Sequence, residues 1–435
     1  MIFSLDIRRA RKGDCLLLHF GSPRQPGLAL IDGGPGNVYA PQLKPRLRAI
    51  RTARRLDERT PLMVDLLMVS HADDDHIHGI LDLTRDMLDR RAKRQAPLLR
   101  GLDLWYNTFD DILAKDAGKL TAAVTAQFGA AALDGELPAD VDLDAVEDDE
   151  VVQGNLQVLA SIGQGHRLCG DAEALDFSRN RGFADGLILA ATQGVPIGER
   201  LDGEFLEFVV AGPMQPELEE LRKKHGEWLN ERREAEDDAT AALAAYVDKS
   251  VTNLSSLVAL VRFAGKTILL TGDARGDKIL AGLELVGLLE RSGTMQVDVL
   301  KVPHHGSSNN LSSDFFARIR ADHYVISGNG EHGNPERETM AMLFAARRKE
   351  PFDLHLTYPI AEIDAAREAE WEKEQAKERR RRAARSKRPL RPDWSAPEHG
   401  LAAFFEQTPL ATGQAVHVVS EKEPHVIDLL DPLGF

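Results

Sequence analysis

The chain has 435 residues, enough for two or three domains or for one large domain with insertions. It carries 54 basic and 69 acidic residues, a formal charge of −15. That balance argues against a global electrostatic grip on nucleic acid, so any anionic substrate must be held locally. A composition of 43% hydrophobic and 28% charged residues describes a globular chain and excludes a disordered one. Two cysteines, Cys15 and Cys169, exclude a disulfide framework and a cysteine zinc cluster, and fit a reducing compartment. No apolar run reaches 18 residues, and the first nine residues hold charges where a signal peptide needs its apolar stretch. The expected location is the cytoplasm.

In chain order, Ile2–Ile7 alternates in part and reads as a strand, Gly13-Asp14 is a turn, and Cys15–Phe20 is an apolar strand. Leu28–Ile31 is a strand ending at Asp32-Gly33-Gly34. Arg46–Asp57 reads as a basic surface helix. Val64–Val69 is a buried strand that runs straight into Ser70-His71-Ala72-Asp73-Asp74-Asp75-His76-Ile77-His78-Gly79, and Ile80–Arg94 is then helical. Asp134–Glu150 carries nine acidic residues and no basic one, which reads as a solvated loop or insertion. Glu204–Val210 is a strand, and Pro216–Val247 reads as one or two charged surface helices. Leu257–Phe263 and Lys266–Leu270 form a hairpin around Ala264-Gly265, and its second arm ends in Thr271-Gly272-Asp273. Val297–Val302 is a strand ending in Pro303-His304-His305-Gly306-Ser307, and Tyr324–Ser327 leads into Gly328–Pro335. Ala361–Arg388 is a charged helix, and Lys377–Arg391 holds nine basic residues within fifteen positions. Val416–Ser420 is a short strand.

One pattern repeats. A buried apolar strand ends abruptly in His, Asp and Gly, at Asp32, at His71–His78, at Asp273 and at His304-His305. Packing alone does not ask for metal-ligand residue types at four strand ends. His71, Asp73, Asp75 and His76 are spaced closely enough to grip one or two divalent ions. Capping the following helix would account for Asp74 or Asp75, but not for two histidines and three aspartates. Asp273 has two carboxylate oxygens and can bridge two metals. Adjacent side chains at His304 and His305 point apart, so one is expected to be a ligand and the other to face substrate.

Asp32-Gly33-Gly34, the His71–His76 segment, Thr271-Gly272-Asp273 and Pro303–Ser307 come in the order and character of the metallo-β-lactamase fold superfamily. The chain has Asp73 where the superfamily pattern His-x-His-x-Asp-His has its second histidine. In this it resembles the lactamase-like domain of the ComEC competence proteins and their stand-alone relatives. Lys12-Gly13-Asp14 also resembles the turn of that family's opening hairpin. The resemblance covers about residues 1–80 and 250–335. It implies an α/β fold, a four-layer αβ/βα sandwich formed by residues 1–435 as a single domain. Helical insertions would fall at about 105–200 and 214–250, and the charged helical segment at about 361–391.

The resemblance further implies a metal-dependent hydrolase that uses a metal-bound hydroxide on phosphodiesters, nucleic acid included. By position it assigns His71, Asp73, Asp75, His76, His166, Asp273 and His304 to metal, and Asp75, His305 and Asp32 to catalysis. Asp32 matches an aspartate that more often braces the metal loop. His332 would face substrate, while His225 lies in a solvated helix. Two divalent ions are implied, zinc first and manganese second, because extra carboxylates suit harder ions. Ser307 and Ser308 are candidate caps of a following helix. Two rival functions stand beside this one. The first is hydrolysis of a small ester, lactone or thioester. The second is a partner-controlled effector whose charged helices are docking surfaces.

Overall fold

A computed structural model describes residues 1–57, 59–101, 103–108, 111–112, 163–183, 186–201, 203–219, 223, 255–383 and 390–435. It is a mixed α/β structure with two large sheets. The first sheet contains Ile2–Ile7 (β1), Leu16–Gly21 (β2) and Pro26–Ile31 (β3). Leu62–Val64 is β4, Leu66–Met68 is β5, Leu99–Gly101 is β6, Asp103–Trp105 is β7 and Ser178–Arg179 is β8. The second sheet is built from Val195–Leu201 (β9), Glu204–Gly212 (β10), Val258–Phe263 (β11), Lys266–Leu270 (β12), Met295–Lys301 (β13), Ile319–Ile326 (β14), Phe352–Leu356 (β15) and Gln414–Val418 (β16). His425–Asp428 is β17. The strand orders are β17-β1-β2-β3-β5-β7-β8 and β16-β15-β14-β13-β12-β11-β10-β9, with a separate β4-β6 pair.

Strand alternation explains the layering. On β2, Leu16, Leu18 and Phe20 enter a core shared by both sheets, which also takes Phe3, Leu5, Val261, Ile268, Val299 and Ile427. Leu17 points to the opposite face, against Ile77, Ile80 and Leu47 of the helices Asp74–Ala92 (α2) and Lys44–Ala53 (α1). On β11, Ala259, Val261 and Phe263 join the shared core, while Val258 and Leu260 face the far side. There they meet Ile279 and Leu283 of Gly276–Leu285 (α3) and Phe315 of Ser313–Arg318 (α4). The same core takes Met340 of Arg337–Arg347 (α5) and Ile363 of Ile360–Ala383 (α6). No helix among the described residues is long and apolar enough to cross a membrane.

Several expected elements shift. Val64–Val69 is two short strands in different sheets, because β4 pairs with β6 while β5 joins β3 and β7. The basic helix begins earlier, at Lys44, and its Arg46 is buried rather than at the surface, donating to Asp6 Oδ2 at 2.5 Å. Asp6 on buried β1 needs that cation. Helix α2 begins at Asp74, so Asp75 and His76 lie in its first turn, where carboxylates complement the helix dipole. Its N-cap position is Asp73, whose backbone carbonyl accepts from His76 N and Ile77 N. Ser307 and Ser308 do not cap α4; Ser312 does, through Phe315 N. The Asp134–Glu150 loop, most of Pro216–Val247, His225 and the side chains of Arg381–Arg388 lie outside the described residues.

Two glycines clamp α2 onto the loop after β3. Gly33 N donates to His76 O at 2.7 Å and Gly79 N donates to Gly34 O at 2.9 Å. A Cβ on Gly79 would fall 1.9 Å from Gly33 O. That atom is backbone on a packed strand end and has nowhere to go. Gly79→Ala is therefore expected to cost about 1–3 kcal/mol or more, read from urea denaturation. Unchanged stability would show that the helix slides freely.

Candidate metal centre

The parallel strands of both sheets point their C-terminal ends to one place, which is where α/β sheets collect their functional side chains. β3 delivers Asp32, β5 delivers Ser70 to Asp73, β12 delivers Asp273, and β13 delivers Lys301, His304 and His305. The β1–β2 turn adds Asp14, held there by Asp14 N donating to Asp75 O at 3.3 Å. Asp14, Asp32, His71, His76, Asp273, Lys301 and His305 are all buried.

The rings are aimed from behind. Ser70 N and Oγ donate to the two oxygens of Asp32 at 2.7 and 2.8 Å. Asp32 Oδ2 in turn lies 2.9 Å from His76 Nδ1. His71 Nδ1 meets Ser70 Oγ at 3.1 Å, and the Asn310 amide pairs with His304 Nδ1. Outer partners of this kind fix the tautomer and leave Nε2 to act as ligand. Asp32, His304 and His305 all hold left-handed backbone, with φ of 55°, 48° and 53°. Non-glycine residues take that region rarely, and it turns the two adjacent imidazoles to different sides.

The Nε2 atoms converge on Asp273. Its Oδ1 lies 3.2 Å from His76 Nε2 and 3.3 Å from His305 Nε2, and those two nitrogens are 3.3 Å apart. Asp75 Oδ2 is 3.5 Å from His305 Nε2. The other oxygen, Oδ2, faces His71 Nε2 at 3.9 Å and His304 Nε2 at 3.8 Å, and Asp73 Oδ2 is 3.6 Å from His71 Nε2. Donors on a shared tetrahedral ion, bound at 2.0–2.2 Å, stand roughly 3.3–3.6 Å from one another. Among the described residues, Asp273 Oδ1 and His71 Nε2 are buried without a hydrogen-bond partner. Leaving such atoms bare is costly, and a cation satisfies both.

The buried carboxylates favour positive charge within the cluster. Burial opposes a proton on His76 and on His305, yet Asp273 and the neighbouring carboxylates hold both above the ordinary imidazole value, His305 at about 9. Burial also opposes ionisation of Asp273 and Asp75, and the nearby imidazoles outweigh it, so both lie below the usual carboxylate range. Lys301 donates to Gly272 O at 3.0 Å and forms a close ion pair with Asp14.

The structure thus brings together His71, Asp73, Asp75, His76 and Asp273, with both members of His304-His305 around them. His305, assigned to catalysis by sequence, lies inside the buried cluster. His304 stands on the Oδ2 side and is more exposed. Asp32, assigned to catalysis by sequence, lies behind His76, with its Oδ2 on the ring's Nδ1. His166 is half-buried on a helix at 163–174, whose Gln164 donates to Asp74 Oδ1 at 3.0 Å. His332 pairs with Lys12 Nζ at 3.1 Å on the rim. Sequence reasoning missed Asp14 and Lys301 as parts of the site. For Asp14 the Gly13-Asp14 turn was the available signal; a lysine closing an apolar strand offers none.

The fold and site define a mixed α/β protein with a buried aspartate–histidine cluster, Asp14, His76, Asp273 and His305, that can hold a metal ion. No family model matches the chain. A 91-residue stretch, 20% of the chain, is 33% identical to microtubule-associated protein 1A of Mus musculus, and an equal stretch to that of Rattus norvegicus. With the Homo sapiens protein the identity is 34% over 74 residues. The match spans 3% of the length of each of these proteins.

Proposed function

We propose that the protein is a metal-dependent hydrolase of the metallo-β-lactamase fold type, acting on phosphodiesters with two divalent ions. The observation that carries this reading is the pair of donor sets on the two oxygens of Asp273. His76, His305 and Asp75 gather on Oδ1, and His71, His304 and Asp73 on Oδ2. His166 is the candidate for a further donor. When bound, such ions acidify coordinated water and polarise a phosphoryl oxygen. Asp32, Ser70 and Asn310 keep the rings oriented, so little reorganisation accompanies reaction. Lys301 balances Asp14 and Asp273 from behind, and the buried walls keep water from the inner faces of the rings.

Nucleic acid would need a basic track. Lys377 is buried against Glu374 at 2.8 Å, and Arg391 is paired with Glu378 at 2.8 Å. Arg379 reaches Asp393 at 3.3 Å. These internal pairs engage Lys377, Arg379 and Arg391, and a small ester or lactone remains the second reading. The test assays metal-loaded protein on bis-p-nitrophenyl phosphate, single-stranded DNA, RNA and a lactone panel. Diester turnover that disappears with a chelator supports the proposal. Lactone or ester turnover with no diester cleaved would replace it by the second reading.

Asp73 puts a carboxylate where a histidine would make the site softer. Asp73→His is expected to keep the fold and move preference toward zinc over manganese, measured as activity after loading with each ion. Unchanged preference would remove Asp73 from the donor set.

A further inference from the structure

The chain has two cysteines, and the structure gives them opposite surroundings. Cys15, just before β2, is fully buried, and burial raises its thiol well above the ordinary range. Such a thiol stays protonated and inert. Cys169 is half-buried on the helix at 163–174, with its side chain against the outer core of the first sheet.

Two strands bring polar groups to Cys169. The pairing of β7 with β8 sets Arg179 beside Leu104. Arg179 Nη1 donates to Cys169 Sγ at 3.4 Å. Asp111 fixes the guanidinium there, accepting from Nη1 at 3.0 Å and from Nη2 at 3.3 Å. Tyr106, just past β7, is clamped to the neighbour of Arg179. Asn180 accepts from Tyr106 N and donates to Tyr106 O, both at 2.9 Å. The Tyr106 hydroxyl is fully buried and has no hydrogen-bond partner. It lies against the helix at Gly165, where a Cβ would stand 2.4 Å from it. Gly165 and Cys169 are four residues apart and share one face of that helix. Burial holds the Tyr106 phenol well above its ordinary value, and Cys169 is the neighbour that adds most to this, before Asp111 and Asp73. A buried hydroxyl without a partner is costly and marks a missing acceptor.

We propose that Cys169 is a redox modification site, where a hydroperoxide oxidises the thiolate to a sulfenic acid whose oxygen is held by Tyr106 and Arg179. The thiolate attacks the hydroxyl-bearing oxygen of the peroxide, so the S–O bond forms as the O–O bond breaks. Sulfur loses two electrons, and the peroxide departs as alkoxide or hydroxide, which takes a proton from water. The thiolate is the reactive form, and a guanidinium at the sulfur favours it. The new oxygen is the acceptor that Tyr106 lacks. Reversible oxidation of this kind belongs to accessible, cation-paired cysteines. The site is independent of the cluster around Asp273 and of the hydrolase reading.

The experiment treats the full chain with a few equivalents of hydrogen peroxide in the presence of dimedone and maps the adducts by peptide mass. Dimedone is expected on Cys169 and not on Cys15. Iodoacetamide at pH 7, without peroxide, reads the thiolate directly. Cys169 is expected to alkylate faster in the folded chain than in urea, because unfolding takes Arg179 away. A merely packed thiol would alkylate more slowly when folded. Arg179→Gln is expected to slow alkylation roughly tenfold, and Arg179→Lys to restore most of the rate. Tyr106→Phe removes only the hydroxyl. It is expected to leave alkylation unchanged and to shorten the life of the sulfenic acid, read by adding dimedone after a delay. Absence of the Cys169 adduct overturns the proposal, and so does alkylation no faster in the folded chain than in urea. That comparison needs only the parent, so it decides even where a variant fails to fold.

Discussion

Asp273→Ala is expected to abolish the proposed hydrolysis and to strip metal from both donor sets at once. Asp273 presents separate oxygens to two groups of imidazoles, Oδ1 to His76 and His305 and Oδ2 to His71 and His304. Loss of His71 alone would weaken one set, whereas loss of Asp273 removes the shared corner and leaves histidines held by burial with less compensating charge. Metal content is the direct measurement, by elemental analysis after equilibrium with a fixed free-ion concentration. Asp273→Asn separates charge from shape, since it keeps the volume and one oxygen. It is expected to retain at most one ion and to lose activity nearly as completely. Full occupancy in Asp273→Ala would show that the carboxylate does not bridge. An intermediate loss confined to one ion would place it on a single set.

The second large effect concerns Lys301. Its ammonium is buried, pairs with Asp14, and lies 3.8 Å from Asp273 Oδ1. Lys301→Met keeps the length and apolar stem but leaves Asp14 as a buried charge without its cation. Breaking such a pair from one side costs about 3–5 kcal/mol. The double variant Asp14→Asn with Lys301→Met removes both charges and is expected to recover most of that loss. The two sites touch, so their effects are coupled rather than additive. Urea denaturation of chelator-treated protein gives the three stabilities. If Lys301→Met is as stable as the parent, or if the double variant is no better than the single, the lysine does not act through Asp14.

Much of the scaffold was legible in the residues. Buried strands announce themselves by composition, and Ile2–Ile7 and Lys266–Leu270 fall at their expected bounds. The turn at Ala264-Gly265 is signalled by a glycine where left-handed backbone is needed, and both residues adopt it. The sequence does not announce strands β6, β7, β8, β9, β15 and β17. All but β9 are short, and β15 mixes Asp353 and His355 among apolar residues, so no clean alternation marks it. The start of α2 was misplaced because an Asp-rich turn and an Asp-rich first helical turn look alike until the backbone closes.

Within the site, the residue types were determined locally. His71, Asp73, Asp75, His76, Asp273 and the His304-His305 pair each follow an apolar strand, and the end of a buried strand is where a polar side chain can emerge without breaking the core. What the sequence alone could not decide is direction. Whether His304 or His305 enters the buried cluster depends on two successive left-handed residues, a conformation no local propensity requires. Asp14 and Lys301 joined the site only because two sheets stack face to face and bring the β1–β2 turn onto the end of β13. His323, His355 and His417 likewise meet through the parallel register of β14, β15 and β16, with His425 beside them from the other sheet, and nothing near each one in the chain records the meeting. Residue chemistry is written one position at a time, while convergence is set by the packing of distant strands, so the sequence determined the residue types and the tertiary structure decided which of them converge.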